Sequence, residues 1–157
     1  MKLSEYISTL FGIGYFPKAP GTAGTLFAAI VYFTLPDQWF INWQTSILAL
    51  FAILIFSIIS VFFISKAEIG LGHDNGKIVL DEFWGYFIAV LFLPKTLPII
   101  IAAFVLFRIF DILKPEPVNV LQKLPKGWGV MADDIMAGVY SNLVLQLVIR
   151  VMLGIIK

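Results

Sequence analysis

Residues Thr45–Ser65 read TSILALFAILIFSIISVFFIS, and none of these 21 side chains is charged. A transmembrane helix needs about 20 consecutive apolar residues to cross the hydrocarbon core of a bilayer, which is about 30 Å thick. The stretch therefore predicts a membrane-spanning helix. Trp39 and Trp43 precede it, as aromatic residues often do where a helix enters the bilayer.

The whole chain has the composition of a membrane protein. Hydrophobic residues make up 60% of its 157 residues and charged residues only 13%, whereas ordinary soluble domains are about 25% charged. The net charge of +1 gives no indication of a nucleic-acid partner, and the absence of cysteine excludes disulfides, zinc-thiolate sites and a cysteine nucleophile. We predict a single all-α integral membrane domain over residues 1–157.

Apolar runs on both sides of Thr45–Ser65 predict about five membrane segments. Two of the runs have only 11 residues, or about 16 Å of helix. Each needs extra turns at its start, from Thr22 and Ile78 respectively, or one of them is re-entrant. Residues 66–80 and 114–128 are predicted to be polar connections. The predicted elements are an N-terminal interfacial helix at residues 3–11 and membrane segments at Thr25–Leu35, Thr45–Ser65, Phe83–Leu93, Leu97–Leu113 and Met131–Ile156.

Loop charges predict the orientation of these segments. In a five-span arrangement, most lysines fall on one side, which the positive-inside rule makes cytoplasmic. These are Lys2, Lys18, Lys66, Lys77, Lys114, Lys123 and Lys126. The basic residues at or toward the other side are Lys95, Arg150 and Lys157.

Five acids beside the apolar runs indicate a site at the cytoplasmic face. A charge at the bilayer centre costs about 2.5–3.5 kcal/mol, so we expect the five to lie near one face and share a cation. Oxygen ligands without cysteine favour Mg²⁺ or a similar ion. For the two adjacent pairs, Asp81-Glu82 and Asp133-Asp134, the alternative is that acids merely occupy helix N-termini, where the helix dipole is positive. The five are Asp81, Glu82, Asp111, Asp133 and Asp134.

A second pattern combines two cations with one of these acids. Arg108, Asp111 and Lys114 are three residues apart and share a helix face. They form either an ion pair that makes Arg108 tolerable near the membrane, or a site where Asp111 binds metal and the cations receive a phosphate. Both interpretations hold if the cations are shared.

The glycine-rich segment at residues 12–25 is predicted to be a turn-rich loop. Its backbone N–H groups are suited to an anion, although it lacks the Gly-Lys-Ser/Thr ending of a P-loop. The alternative is a tight turn before a helix capped by Thr22 or Thr25. His73 lies in a predicted surface turn and is a minor candidate base. The spacing of Gly138 and Ser141 predicts close helix packing.

Taken together, these motifs resemble the phosphatidylglycerophosphatase A family from about Gly12 to Ser141. The turn at Asp74-Asn75-Gly76 departs from the Asp-Pro expected in the family, which leaves a role for Asp74 in question. The matching residues are Ala19-Pro20-Gly21-Thr22 with Gly24-Thr25, Ile78-Val79-Leu80-Asp81-Glu82 with Gly85, Phe107-Arg108-x-Phe110-Asp111-x-x-Lys114-Pro115, and Gly127-x-Gly129-Val130-Met131-x-Asp133-Asp134-x-x-Ala137-Gly138.

The resemblance implies a Mg²⁺-dependent phosphatase of the bacterial inner membrane that converts phosphatidylglycerophosphate to phosphatidylglycerol and inorganic phosphate. All five acids would then hold metal and support catalysis, with Glu82 or Asp134 orienting the attacking water. Arg108 and Lys114 would clamp the phosphate, and a phospho-aspartyl intermediate is a variant. The residues expected to wrap the phosphate are Pro20, Gly21, Thr22 and Thr25.

Two other functions are compatible with acids in a membrane protein. Intramembrane acids mark ion pathways in small ion or metal transporters, but transport sites tend toward the midplane, and these acids lie near segment ends. A purely structural subunit gives no reason for two acid pairs on one side. The oligomeric state is not predicted.

Overall fold

The computed structural model describes residues 2–40 and 42–152. Within these ranges the chain forms seven α-helices and no β-strand, which confirms the all-α prediction. Single 3₁₀ turns occur at Ile13–Tyr15 and Asp37–Trp39. The helices are α1 Leu3–Ser8, α2 Pro20–Thr34, α3 Trp43–Leu71, α4 Leu80–Val90, α5 Leu97–Leu113, α6 Val118–Leu121 and α7 Gly127–Met152.

Two helices are long and apolar enough to cross a bilayer, namely α3 with 29 residues and α7 with 26. Helices α2, α4 and α5 have 15, 11 and 17 residues, or about 22, 16 and 26 Å, and fall short of a core of about 30 Å. The two long helices favour membrane association, while the five-segment arrangement stays a prediction. Residues 153–156 of the last predicted segment lie outside the described residues.

Helix α2 begins earlier than predicted. Part of the glycine-rich segment is helical, because Pro20 occupies the first helical position, where its fixed φ suits a helix and its missing N–H would have no partner. Thr25 does not cap the helix. Its hydroxyl is buried and donates to the carbonyl oxygen of Gly21 at 2.9 Å.

Helix α3 also extends beyond the predicted segment. Its start is capped by Asn42, whose Oδ1 accepts from the backbone N–H of Thr45 at 3.0 Å. Residues 66–71, expected in a polar connection, continue the helix until Gly72, where φ is 102°. Two further helices also begin a few residues earlier than predicted. Helix α4 begins at Leu80 rather than Phe83, and α7 begins at Gly127 rather than Met131.

The short helix α4 lies at the centre of the bundle. It packs against α2, α3, α5 and α7, and nine of its eleven residues are buried. A helix that is enclosed on all sides is usually apolar around its whole circumference. The two buried acids of α4, Asp81 and Glu82, are therefore unusual.

Helices α4 and α7 touch through their backbones. A Cβ atom on Gly138 would overlap the carbonyl oxygen of Gly85, so glycine permits the contact that the sequence spacing predicts. Four residues further along α7, Asn142 Nδ2 donates to the carbonyl oxygens of Ala89 at 3.1 Å and Leu91 at 2.6 Å. Since contacts advance by four residues on both helices, α4 and α7 run in the same direction.

The N-terminal region holds the segment that leads into α4. The backbone N–H of Val79 donates to the carbonyl oxygen of Ser8 at 2.9 Å. Gly14 lies directly against the backbone of Lys77, and a Cβ on Gly24 would lie 2.7 Å from the Val79 side chain. These contacts place the start of α4 beside the start of α2.

Candidate functional site

Three acidic side chains meet where α4 begins. Asp81 and Glu82 lie in its first turn, and Asp134 faces them from α7. One carboxylate oxygen from each lies within 4.8 Å of the others. Asp81 precedes Gly85 by four residues and Asp134 precedes Gly138 by four, so the glycine contact between the helices brings the acids together. Asp81, Glu82 and Asp134 are called the acid cluster below.

The acid cluster has the donor set of a cation site. All three side chains are buried, and within the described ranges the oxygens Asp81 Oδ1, Glu82 Oε2 and Asp134 Oδ2 have no hydrogen-bond partner. A buried carboxylate is costly unless it is paired, and carboxylates this close repel one another. Several oxygen ligands converging on one point suit a hard divalent cation.

Asp133 is engaged differently from its neighbour Asp134. Its Oδ2 accepts from Lys114 Nζ at 2.5 Å and its Oδ1 accepts from the backbone N–H of Asp134 at 3.1 Å. Burial alone would lower the pKa of the Lys114 ammonium, but its hydrogen bond to Asp133 and other nearby carboxylates raise that pKa above its usual value. Lys114 therefore stays charged beside the acid cluster.

Arg108 is a second cation at the site and lies beside a member of the acid cluster. Its Nη1 donates to Asp111 Oδ2 at 2.5 Å and lies 3.8 Å from Glu82 Oε1. In the described part of the chain its buried Nε has no hydrogen-bond partner. Arg108 thus pairs with Asp111 on the same helix and still has its Nε–H as a donor for a ligand. The ion-pair interpretation and the phosphate-binding interpretation of this motif are therefore compatible.

The start of α2 closes the site on another side. A Cβ atom on Gly21 would overlap Glu82 Oε1 and lie 3.0 Å from Arg108 Nη1. The first N–H groups of a helix have no intrahelical partner and carry partial positive charge. Gly21 is therefore at the site, with Pro20 next to it in the chain, and Thr22 lines a cavity with Arg108. Thr25, fully buried, lies behind them.

His73 contacts the end of α3. Its side chain is 64% exposed, and its Nδ1 is 2.5 Å from Glu68 Oε1. Glu68 also accepts from the backbone N–H of Asp74 at 3.2 Å. These contacts hold the turn at residues 73–74 against the end of α3. The partner of His73 is therefore Glu68 and not a residue of the acid cluster.

Asp74 is nearer to the site than the sequence indicated. It lies close enough to Lys114 and Asp133 for their charges to interact. The signal in the sequence that could have indicated this position is its place in a turn shortly before Asp81-Glu82.

Comparisons with known proteins cover the region that holds the site. The model of the family described as "Phosphatidylglycerophosphatase A" matches residues 6–149, which include every residue of the site. No solved structure matches the chain significantly.

Relatives of known name cover most of the chain. A Haemophilus influenzae protein named phosphatidylglycerophosphatase A is 39% identical over 85% of this chain and 81% of its own length. An Escherichia coli protein of the same name is 39% identical over 83% and 74%. A Bacteroides thetaiotaomicron protein, provisionally named a phosphatidylinositol-3-phosphatase, is 41% identical over 88% and 89%.

Proposed function

Because the chain belongs to the phosphatidylglycerophosphatase A family, we propose that it hydrolyses the terminal phosphomonoester of phosphatidylglycerophosphate. The products are phosphatidylglycerol and inorganic phosphate. The observation that carries the proposal is a buried acid cluster with three unpartnered oxygens within the described residues, flanked by Arg108 and Lys114. An ion transporter is not favoured, since the family and relatives bear the names of phosphatases.

In this proposal Asp81, Glu82 and Asp134 hold Mg²⁺. Mg²⁺ held there would supply positive charge for the phosphate oxygens and would make a nearby water easier to deprotonate. Asp111 and Asp133, expected from the sequence to be ligands as well, serve in this proposal to hold the two cations. Their hydrogen bonds to Arg108 and Lys114 support that division.

Arg108, Lys114 and the start of α2 bind the phosphate. Phosphoryl transfer depends mostly on alignment and charge neutralisation, and a guanidinium forms paired, charge-assisted hydrogen bonds to phosphate. The unpartnered Nε of Arg108 in the described structure, the ammonium of Lys114 and the N–H groups of Gly21 and Thr22 supply donors from different directions.

One carboxylate accepts the proton of the attacking water, and Glu82 or Asp134 is suited to this role. A phospho-aspartyl intermediate is the two-step variant. The stereochemical course at a chiral phosphorothioate separates them. Direct attack by water inverts the phosphorus centre, and two successive displacements retain its configuration.

The experiment that tests the function is phosphate release by the purified protein in detergent, with Mg²⁺ or with EDTA. We expect phosphatidylglycerophosphate to be hydrolysed only with Mg²⁺, and faster than phosphatidic acid or glycerol 3-phosphate. Phosphatidylinositol 3-phosphate belongs in the same assay because of the name of the Bacteroides relative. A preference for it would replace the proposed substrate, and metal flux into liposomes without phosphate release would contradict the phosphatase function.

We also place the site at the cytoplasmic face of a bacterial inner membrane. The positive-inside distribution of lysines supports this orientation, and two helices long enough to span a bilayer support a place in the membrane.

A further inference from the structure

Two cavities lie next to each other on the outer faces of α2 and α5. One has a volume of about 310 Å³ and the other about 420 Å³, and both are lined by Phe104. The first is lined only by apolar residues, and the second reaches Thr22 and Arg108. We name the two cavities together the α2–α5 groove, defined by Thr22, Leu26, Ile30 and Phe33 of α2 and Leu97, Ile101, Phe104 and Arg108 of α5.

The groove opens to the outside of the bundle and is amphiphilic along its length. Ile30 and Ile101, which line it on opposite sides, are each 54% exposed. At one end Arg108 reaches within 3.8 Å of Glu82. A molecule with a phosphate at one end and hydrocarbon behind it matches both the charge and the apolar lining.

The length of the groove matches one leaflet of a bilayer. Thr22 and Phe33 are 11 residues apart on α2, and Leu97 and Arg108 are 11 residues apart on α5. At about 1.5 Å per residue each side is about 16 Å long, roughly half of a hydrocarbon core of about 30 Å. An acyl chain lying in the groove would extend from the headgroup level to the midplane.

We propose that the α2–α5 groove binds one acyl chain of the diacyl lipid substrate and is its lateral entrance to the site. This rests on the proposed function. The lipid moves sideways from the leaflet between α2 and α5, its phosphate meets Arg108 and Thr22, and the chain stays in contact with apolar side chains throughout. Because moving hydrocarbon into water is unfavourable in proportion to the apolar area exposed, a lateral route avoids the cost of extracting the lipid from the bilayer.

A second apolar groove, between α3 and α7, provides a matched control. Its volume is about 290 Å³, and Leu54 and Ile58 of α3 line it. These residues are 39% and 58% exposed. Its lining includes neither a member of the acid cluster nor a cation among the described residues.

The test fills each groove with an indole ring. Ile30→Trp and Ile101→Trp block the α2–α5 groove, and Leu54→Trp and Ile58→Trp fill the control groove. We expect the first pair to lower kcat/KM on long-chain phosphatidylglycerophosphate by at least about tenfold, or about 1.4 kcal/mol. Activity on the deacylated headgroup should not change, and the control pair should match the wild type on both substrates. Unchanged activity on the diacyl substrate, or equal loss on both, would overturn the proposal.

A binding measurement separates this inference from the proposed function. A diacyl phosphatidylglycerophosphate with a photoactivatable group in one acyl chain should label α2 and α5 around Ile30 and Ile101 more than α3 around Leu54. This labelling needs no turnover. If the wild type labels α2 and α5 but releases no phosphate, the hydrolytic function fails and the groove stands. Equal labelling of both grooves contradicts the groove even in an active enzyme.

Discussion

At the scale of single residues, the separate roles of Asp133 and Asp134 could not be predicted from the sequence. Both were predicted as site residues, and they are indistinguishable as an adjacent pair. Adjacent helical residues point about 100° apart, so only the packing of α7 against α4 decides that Asp134 joins the acid cluster and Asp133 meets Lys114. Their presence near Asp81 was predictable, whereas their separate roles depend on helix rotation.

Replacing Asp134 with asparagine tests the cation site without an activity assay. The variant removes one of three repelling carboxylates, so the metal-free protein should melt higher, by about 2–4 °C per kcal/mol of relieved repulsion. It should also lose the stabilisation that Mg²⁺ gives the wild type. Melting in detergent with EDTA and with Mg²⁺ measures both effects. Asp37→Asn, at an exposed position, is the control and should keep the Mg²⁺ response; a full response in Asp134→Asn would refute the site.

Arg108→Lys tests whether the guanidinium fork matters beyond its charge. Lysine keeps the positive charge but cannot contact Asp111 and a phosphate with paired N–H groups. We expect kcat/KM for phosphatidylglycerophosphate to fall at least about tenfold, or about 1.4 kcal/mol. Arg150→Lys, at an exposed position in the last turn of α7, should leave the rate unchanged. Equal rates for the two variants would show that charge alone suffices.

At the scale of helices, the sequence predicted some boundaries and missed others for identifiable reasons. Helix α5 matches its predicted bounds, since Lys114 precedes Pro115, and a residue before proline is disfavoured in helical geometry. Helix α3 was predicted too short because Lys66 and Glu68 suggested a loop. Polar side chains end an apolar run, but they do not end a helix whose backbone hydrogen bonds continue.

Gly138→Ala tests the backbone contact between α4 and α7. The added methyl overlaps the carbonyl oxygen of Gly85, so the helices must separate, at a cost of about 1–3 kcal/mol for overpacking. We expect a lower Tm and a higher Mg²⁺ concentration for half-maximal activity, because Asp134 moves away from Asp81. Gly76→Ala is the control, since its nearest neighbour outside the local chain is 4.0 Å away. An unchanged Mg²⁺ requirement in Gly138→Ala would show that the contact does not position the acids.

At the scale of the whole molecule, the two ends of the bundle differ in chemistry. The acid cluster, Arg108 and Lys114 occupy one end. At the other, Lys95 Nζ donates to Asp37 Oδ1 at 2.8 Å and to the carbonyl oxygen of Leu35 at the end of α2. The loop charges of the sequence predict that the two ends differ. The sequence could not indicate the α2–α5 groove, because its two sides lie about 64 to 86 residues apart in the chain, from the pair Phe33 and Leu97 to the pair Thr22 and Arg108.

The proposed orientation predicts opposite labelling at the two ends. The chain has no cysteine, so a maleimide can react only with a cysteine that is introduced by substitution. In right-side-out vesicles a membrane-impermeant maleimide should label Gln38→Cys at once and Lys126→Cys only after permeabilisation, both positions being exposed. The reverse pattern would invert the orientation, and immediate labelling of both would contradict a membrane between them.

The shared register of α4 and α7 sets where this chain tolerates a change of length. One residue inserted between Asp134 and Gly138 would turn the acid by about 100° and shift it by about 1.5 Å along the axis, away from Asp81. The same insertion in the connection at residues 115–117 would leave that interval untouched. The spacing of Asp134, Gly138 and Asn142 along α7 must therefore stay constant. Insertions and deletions that preserve activity are expected in the connections at the ends of the bundle.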